Sequence, residues 1–145
     1  MLYFAYGANV NQRNIKRYAP RARTLGPARL AGHRLVFKQF ADVIKDAKSN
    51  VDGVLYEITG ACELALDRYE DFPKLYRKAT VTVETAEGPR DAMLYVMNGG
   101  IMNGGGGAPP DIAYFNILAR GYAEWKFDAK ILRDARFATL RPSRP

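Results

Sequence analysis

Histidine and cysteine are almost absent from this sequence, which has one of each in 145 residues. A single cysteine forms no internal disulfide, and one histidine is too few for a zinc finger or an HExxH hydrolase. A catalytic triad would have to use His33, which lies in an apolar run typical of a strand. Cys62 lies on the apolar side of a short predicted helix and is interpreted as a buried hydrophobic residue. We therefore expect a site without a metal, although a metal held by carboxylates alone stays open.

Long hydrophobic runs are also missing. No segment approaches the roughly 18 apolar residues of a membrane span, and residues 2–5 lack the basic flank and the length of a signal peptide. We expect a cytoplasmic protein with no membrane association. The length fits one domain, residues 1–145, with a sizeable hydrophobic core.

Acidic residues are scarce at both ends of the chain, and the formal net charge is +7. Residues 1–41 hold eight basic and no acidic side chains, residues 42–128 hold nine against fourteen, and residues 129–145 hold five against one. This pattern fits a nucleic-acid face, an attraction for an anionic ligand or an ordinary solvated surface. Composition favours the solvated surface.

Short apolar and β-branched runs predict five strands in the body of the chain and a sixth at its end. They cover residues 2–6, 28–37, 54–58, 78–84, 92–97 and 131–140. Helical spacing predicts helices from residue 9 or 11 to 18, over 59–71 and over 111–126. The elements do not alternate in regular βαβ order, so we expect an α+β fold with a largely antiparallel or barrel-like sheet.

The turn formed by Tyr6, Gly7, Ala8 and Asn9 joins a predicted buried strand to a helix start. Backbone N–H groups at such a junction lack helical acceptors and attract a carboxylate or an oxyanion. The alternative is an ordinary strand-to-helix turn.

Glu70 lies beside the apolar stripe of the second predicted helix. Partial burial and the neighbouring charges of Asp67 and Asp71 would both raise its pKa toward the range useful for proton transfer. The alternative is an exposed acid that pairs with Lys74 or Arg77.

A glycine-rich segment, residues 98–110, contains neither GxGxxG nor a terminal Gly-Lys-Ser/Thr. We interpret it as a flap or a plain connector, and its role is left open.

Four segments together resemble the gamma-glutamylcyclotransferase-like family, which includes gamma-glutamylamine cyclotransferases. They are Tyr3-Phe4-Ala5-Tyr6-Gly7-Ala8-Asn9, Gly53-Val54-Leu55-Tyr56-Glu57-Ile58, Leu66-Asp67-Arg68-Tyr69-Glu70-Asp71-Phe72-Pro73-Lys74-Leu75-Tyr76-Arg77, and the helix near residues 114–125. The first and third correspond to the family's YGSN and LDxxEG-type motifs, and the order and spacing match over almost the whole chain.

The resemblance implies an α+β fold around a small β-barrel, and an enzyme that releases 5-oxoproline and an amine from a gamma-glutamyl substrate. It implies that Glu70 is the general acid/base and that backbone amides hold the substrate's α-carboxylate. No cofactor or metal is implied. The substrate contacts implied by the resemblance are Tyr6, Gly7, Ala8, Asn9, Val10, Tyr76 and Tyr114.

Two positions depart from the family's motifs. Ala8 replaces the usual serine, which removes a hydroxyl but keeps the backbone N–H, and Asp71 replaces the glycine that usually follows the glutamate. Two other functions stay open: a binding protein of the same fold without this chemistry, and a nucleic-acid module built on the basic residues of 13–38 and 130–144. We expect a small gamma-glutamyl substrate, no nucleic acid, and a monomer or homodimer. The leaving amine is not predicted.

Overall fold

Five strands form a closed barrel in the computed structural model, which describes residues 1–99 and 107–140. The strand order around the barrel is β1-β3-β2-β4-β5. Neighbouring strands are antiparallel, except that β1 and β5 close the barrel in parallel. The strands are β1 (Leu2–Ala5), β2 (Arg23–Lys38), β3 (Phe40–Glu57), β4 (Tyr76–Thr85) and β5 (Gly88–Met97). This architecture confirms the predicted α+β fold with a barrel-like sheet.

Strands β2 and β3 form one long hairpin whose turn is a single residue, Gln39, with a left-handed φ of 69°. The predicted strands 28–37 and 54–58 lie inside this hairpin except for residue 58, but residues 40–53 were not predicted as strand. The middle of this stretch, residues 45–50, is mostly polar, so it lacks the apolar pattern that indicates a strand. Pairing with β2 and the ion pair between Arg34 and Asp46, 3.3 Å long, hold it in place instead.

Strands β4 and β5 form the hairpin predicted at residues 87 and 88. Thr85 pairs with Gly88, and Gly88 has a φ of +104°, which favours glycine at this turn. The strand predicted at residues 2–6 corresponds to β1.

The predicted helices are present and begin at capping side chains. They are α1 (Gln12–Tyr18), α2 (Gly60–Tyr69) and α3 (Ile112–Trp125). Asn11 caps α1, Thr59 caps α2 and Asp111 caps α3, each accepting a backbone N–H from the first turn. A short 3₁₀ turn, Ala8–Val10, links β1 to α1.

The strand predicted at residues 131–140 is wrong, because this segment lies in a fourth helix, α4 (Ala129–Ala138). Asp128 caps the helix, and Lys130 and Asp134 form an i,i+4 ion pair of 2.6 Å. Leu132 and Ala135 are buried and three residues apart, which is the spacing of a helical face and not of a strand.

The barrel and the inner faces of the helices share one hydrophobic core. Cys62 is buried in it, as expected of a residue that acts only in packing. None of the described helices is long and apolar enough to cross a bilayer. Of the glycine-rich segment 98–110, residues 100–106 lie outside the described residues, and Gly107 and Ala108 run beside the β2–β3 turn.

Candidate active site

A cavity of about 170 Å³ opens between the barrel strands, the end of α2 and the start of α3. Seven of the eight predicted site residues line it, namely Tyr6, Gly7, Ala8, Asn9, Glu70, Tyr76 and Tyr114. The other lining residues were not predicted as site residues: Tyr3, Phe4, Ala5, Phe40, Ala41, Tyr69, Leu75 and Tyr95. The fold thus brings the two sequence motifs to one cavity.

The turn after β1 presents backbone N–H groups at the cavity wall. Its first helical hydrogen bonds run from Val10 N to Gly7 O and from Asn11 N to Ala8 O, both 3.1 Å. The N–H groups of Ala8 and Asn9 precede these bonds and therefore have no acceptor within the helical turn. Val10 does not line the cavity and its N–H donates to Gly7, so the predicted contact between Val10 and substrate is not supported.

Asn9 is buried, and its side chain fixes the turn. Its Nδ2 donates to the Tyr3 hydroxyl at 3.2 Å, and its Oδ1 accepts from Asn14 Nδ2 at 2.9 Å. Its carbonyl accepts the Tyr56 hydroxyl proton at 2.7 Å. The side chain is therefore used in positioning, and the backbone N–H is the part of Asn9 that is left for a ligand.

Helix α3 packs directly on this turn. Gly121 makes the close approach possible, because a Cβ on Gly121 would lie 2.7 Å from Asn11 N. Trp125 Nε1 donates to the carbonyl of Val10 at 3.0 Å. Helix α3 therefore holds the end of the turn that leads into α1.

Glu70 follows the last residue of α2 and lies in the cavity wall. Surrounding side chains bury its carboxyl group, and this burial raises the pKa from 4.5 to about 7. In the described part of the chain Glu70 has no ion-pair partner, so the expected alternative of a pair with Lys74 or Arg77 is wrong. Arg77 instead donates to the carbonyl of Met97 at 3.0 Å.

The neighbouring carboxylates do not raise the pKa of Glu70 in the way that the sequence suggested. Asp67 pairs with Lys78 at 3.0 Å and accepts the Tyr95 hydroxyl proton at 2.7 Å. Asp71 is exposed. Burial alone accounts for the raised pKa of Glu70, and the like-charge contribution predicted from Asp67 and Asp71 is wrong.

Three tyrosine hydroxyls in the wall donate their protons to acceptors in the protein. Tyr6 donates to the carbonyl of Tyr95, Tyr76 donates to the carbonyl of Ala41 at 2.7 Å, and Tyr95 donates to Asp67. Each hydroxyl carries one proton, so only its oxygen lone pairs are left for a ligand. Together with Glu70 they supply hydrogen-bond acceptors to the cavity.

Tyr114 has the opposite polarity. Its hydroxyl oxygen accepts the N–H of Ala41 at 3.0 Å, which leaves its own proton for a ligand. The same oxygen would lie 3.5 Å from a Cβ on Gly7, so it is close to the turn that presents free N–H groups. Tyr114 and the turn supply hydrogen-bond donors to the cavity.

The phenols in the wall stay protonated near neutral pH, because burial raises the pKa of Tyr6, Tyr76, Tyr95 and Tyr114 above the usual value of 10. Among the described residues that line the cavity, Glu70 is thus the one group that changes charge near pH 7. Over residues 1–99 and 107–140, no cluster of three or more histidine, cysteine or acidic residues has the geometry of a metal site.

A comparison with known protein families finds a match over most of the chain. Residues 3–113 match the family model described as gamma-glutamyl cyclotransferase, AIG2-like. No curated protein matches the chain significantly.

Solved structures with the same fold include two at 25% sequence identity. One is an uncharacterized protein from Homo sapiens, with a TM-score of 0.80 over 92% of this chain and 85% of that chain. The other is described as a gamma-glutamyl cyclotransferase, with a TM-score of 0.79 over 93% of this chain and 85% of that one. YkqA from Bacillus subtilis, 20% identical, shares the fold with a TM-score of 0.78 over all of this chain and 56% of its own. By its family match over residues 3–113, the chain belongs to the gamma-glutamyl cyclotransferase, AIG2-like family.

Proposed function

We propose that this protein is a gamma-glutamyl cyclotransferase that converts a gamma-glutamyl substrate into 5-oxoproline and a free amine or amino acid, without a cofactor. The observation that carries the proposal is Glu70, a carboxyl group in the wall of a narrow cavity with a pKa of about 7. A group with that pKa exchanges protons efficiently at neutral pH.

The polarity of the cavity suits the head of such a substrate. A gamma-glutamyl compound carries an α-carboxylate and an α-ammonium on one carbon atom. The N–H groups of Ala8 and Asn9 and the Tyr114 hydroxyl can donate to the carboxylate. Glu70 and the lone pairs of the Tyr6, Tyr76 and Tyr95 hydroxyls can receive the ammonium protons.

In the proposed reaction, ionised Glu70 removes a proton from the α-ammonium. The freed amine attacks the γ-carbonyl carbon, a new C–N bond closes the five-membered ring, and the bond to the leaving nitrogen breaks. Protonated Glu70 delivers this first proton to the leaving nitrogen. Glu70 then takes a second proton from the positively charged ring nitrogen and passes it to the departing amine, which leaves as an ammonium ion. The third ammonium proton stays on the lactam nitrogen, and Glu70 is ionised again.

Positioning supplies the rest of the catalysis. Nucleophile and electrophile belong to the same molecule, so a cavity that folds the substrate converts binding into a high effective concentration of the attacking amine. One carboxylate for proton transfer is then sufficient. A chain with a single histidine and a single cysteine can perform this reaction.

The proposal is tested by incubating the protein with a panel of gamma-glutamyl amino acids and amines and measuring 5-oxoproline by mass spectrometry. Glu70→Gln should lower kcat/KM by roughly 10²- to 10⁴-fold, the usual contribution of a general acid/base. The matched control is Glu63→Gln, because Glu63 lies on the same helix but pairs with Lys78 outside the cavity.

A fully active Glu70→Gln protein would exclude Glu70 as the acid/base. Tight binding of gamma-glutamyl compounds without any 5-oxoproline would instead identify a binding protein on the same fold.

A further inference from the structure

A second concave surface lies between helices α1 and α3, with a volume of about 620 Å³. We call it the α1–α3 groove. Four of its nine lining residues are cationic, namely Arg13, Lys16 and Arg17 from α1 and Arg120 from α3, and none is acidic. All four are exposed, so the groove presents four positive charges to solvent.

The four groove cations have no acidic partner within residues 1–99 and 107–140. The ion pairs of the described residues use six other basic side chains, namely Arg23, Arg29, Arg34, Lys38, Lys78 and Lys130. The guanidinium of Arg17 lies over the ring of Tyr18, 5.7 Å from its centroid.

The acids closest to the groove in the chain have other partners. Glu124 lies one turn after Arg120 and accepts the N–H of Gln12 at 3.3 Å. Asp111 caps α3 by accepting the N–H of Tyr114 at 2.8 Å. Neither side chain lines the groove. Like charges concentrated in a concave surface raise the local potential and attract an anion.

The groove adjoins the proposed catalytic cavity. Asn14 lines the groove, and its Nδ2 donates to Asn9 Oδ1 at 2.9 Å and to the Tyr69 hydroxyl at 3.2 Å, both in the cavity wall. Helix α3 contributes Tyr114 to the cavity and the adjacent Ala113 to the groove. A cavity of about 170 Å³ accommodates the glutamyl end of a substrate, so a larger leaving group extends beyond it.

We propose that the α1–α3 groove binds an anionic group on the leaving amine, so that the preferred substrates are gamma-glutamyl compounds whose leaving part carries a carboxylate or a phosphate. This inference rests on the proposed cyclotransferase function. The cavity recognises the glutamyl head, and the groove selects the leaving amine by charge.

Two pairs of substrates test the selection. Gamma-glutamyl-glycine and gamma-glutamyl-glycinamide differ by one carboxylate on the leaving part, and gamma-glutamyl-phosphoethanolamine and gamma-glutamyl-ethanolamine differ by one phosphate. We expect kcat/KM to favour the charged member of at least one pair about three- to tenfold. The pair that shows the preference identifies the anion as a carboxylate or a phosphate. The preference should shrink between about 0.02 M and about 0.5 M salt, because exposed charges are screened.

The double variant Arg17→Gln with Arg120→Gln should remove most of the preference and leave turnover of the neutral substrates unchanged. The matched control is the double variant Arg133→Gln with Lys130→Gln on α4, which lowers the net charge equally but lies outside the groove. It should keep the preference. Equal turnover of charged and neutral members by the wild type, or an equal loss in the control, would overturn the proposal.

A binding measurement separates this proposal from the cyclotransferase function. N-glutaryl-glycine and N-glutaryl-glycinamide lack the α-amine and cannot cyclise, and their phosphoethanolamine and ethanolamine counterparts complete the set. Calorimetry should show tighter binding of the charged compound, abolished in the groove variant. If the wild type releases no 5-oxoproline from any substrate, the proposed function fails, and these affinities alone decide whether the α1–α3 groove binds the anion. Equal affinities within both pairs would reject the proposal for the groove.

Discussion

At the scale of single residues, the backbone conformation of Asp71 explains why the family's motif usually has glycine at this position. Its φ is 52°, in the left-handed region that costs most side chains free energy and that aspartate tolerates better than most. Asp71→Gly should therefore raise the free energy of unfolding by about 0.5–1 kcal/mol, measured by urea denaturation. Asp71→Ala is the control and should give no such gain. A less stable Asp71→Gly protein would contradict this reading of the turn.

The pKa of Glu70 predicts how activity depends on pH. The proposed reaction begins with ionised Glu70, whose pKa burial raises to about 7. We expect log kcat/KM to rise with unit slope below about pH 7 and to level off above it, up to the pH at which other groups titrate. A rate that stays constant between pH 5 and about pH 7 would mean that Glu70 does not supply the essential base.

The same burial lowers stability at neutral pH. The pKa of Glu70 is higher in the folded chain, about 7, than its ordinary value of 4.5, so the folded state binds the proton more tightly. The stabilisation that comes from the protonated Glu70 carboxyl group is fully present below pH 4.5 and is lost as the pH rises through about 7. Glu70→Gln should be more stable than the wild type at pH 8, by as much as about 3 kcal/mol, and equally stable at pH 4. Thermal unfolding at the two pH values measures this, and equal stabilities at pH 8 would show that burial of the carboxyl group is slight.

At the scale of elements, the contact between α3 and the turn after β1 depends on Gly121. A Cβ at this position would lie 2.7 Å from the backbone nitrogen of Asn11, which cannot move away without displacing the turn. Gly121→Ala should lower the free energy of unfolding by about 1–3 kcal/mol and should raise KM more than it lowers kcat, because the turn presents the proposed carboxylate site. The matched control is Gly60→Ala, where a Cβ meets no atom within 4 Å. Unchanged KM in Gly121→Ala would show that the turn keeps its geometry without this contact.

Elements with a local signal could be predicted from the sequence, and elements that depend on distant partners could not. The strand at 92–97 and the helix capped by Asp111 follow from patterns within a few residues. The polar middle of β3, residues 45–50, has no such pattern and is a strand because β2 lies beside it. Helix α4 did have a local signal, the cap at Asp128 and the i,i+4 pair of Lys130 and Asp134, which outweighs the apolar residues that suggested a strand.

The same distinction holds for the cavity. Glu70 and the turn Gly7–Asn9 lie in compact motifs and could be identified from the sequence. Ala41 and Tyr95 could not, because their roles come from hydrogen bonds that join residues far apart in the chain, such as Tyr76 to Ala41 and Tyr6 to Tyr95. Sequence spacing carries no information on which hydroxyl donates and which accepts.

At the scale of the whole molecule, the cavity lies over the junction at which the barrel closes. Strands β1 and β5 pair in parallel through Tyr3 and Met93, whereas β2 and β3 pair along most of their length. Tyr3 and Tyr95, one from each side of the junction, both line the cavity, with their rings edge to face at 5.9 Å. A ligand in the cavity therefore contacts both strands and should tighten the closure of the barrel.

The hydrogen bond from Tyr6 to the carbonyl of Tyr95 links the end of β1 to β5. Tyr6→Phe removes it and leaves a buried carbonyl without that donor, so the free energy of unfolding should fall by about 1–3 kcal/mol. Amide exchange should increase most in β1 and β5, since these strands have few bonds to each other, and least in the β2–β3 hairpin. Adding 5-oxoproline to the wild type should slow exchange in β1 and β5 selectively. Hydrogen exchange with mass spectrometry measures both effects, and a uniform change across the barrel would mean that neither the Tyr6–Tyr95 bond nor the ligand acts on the β1–β5 junction in particular.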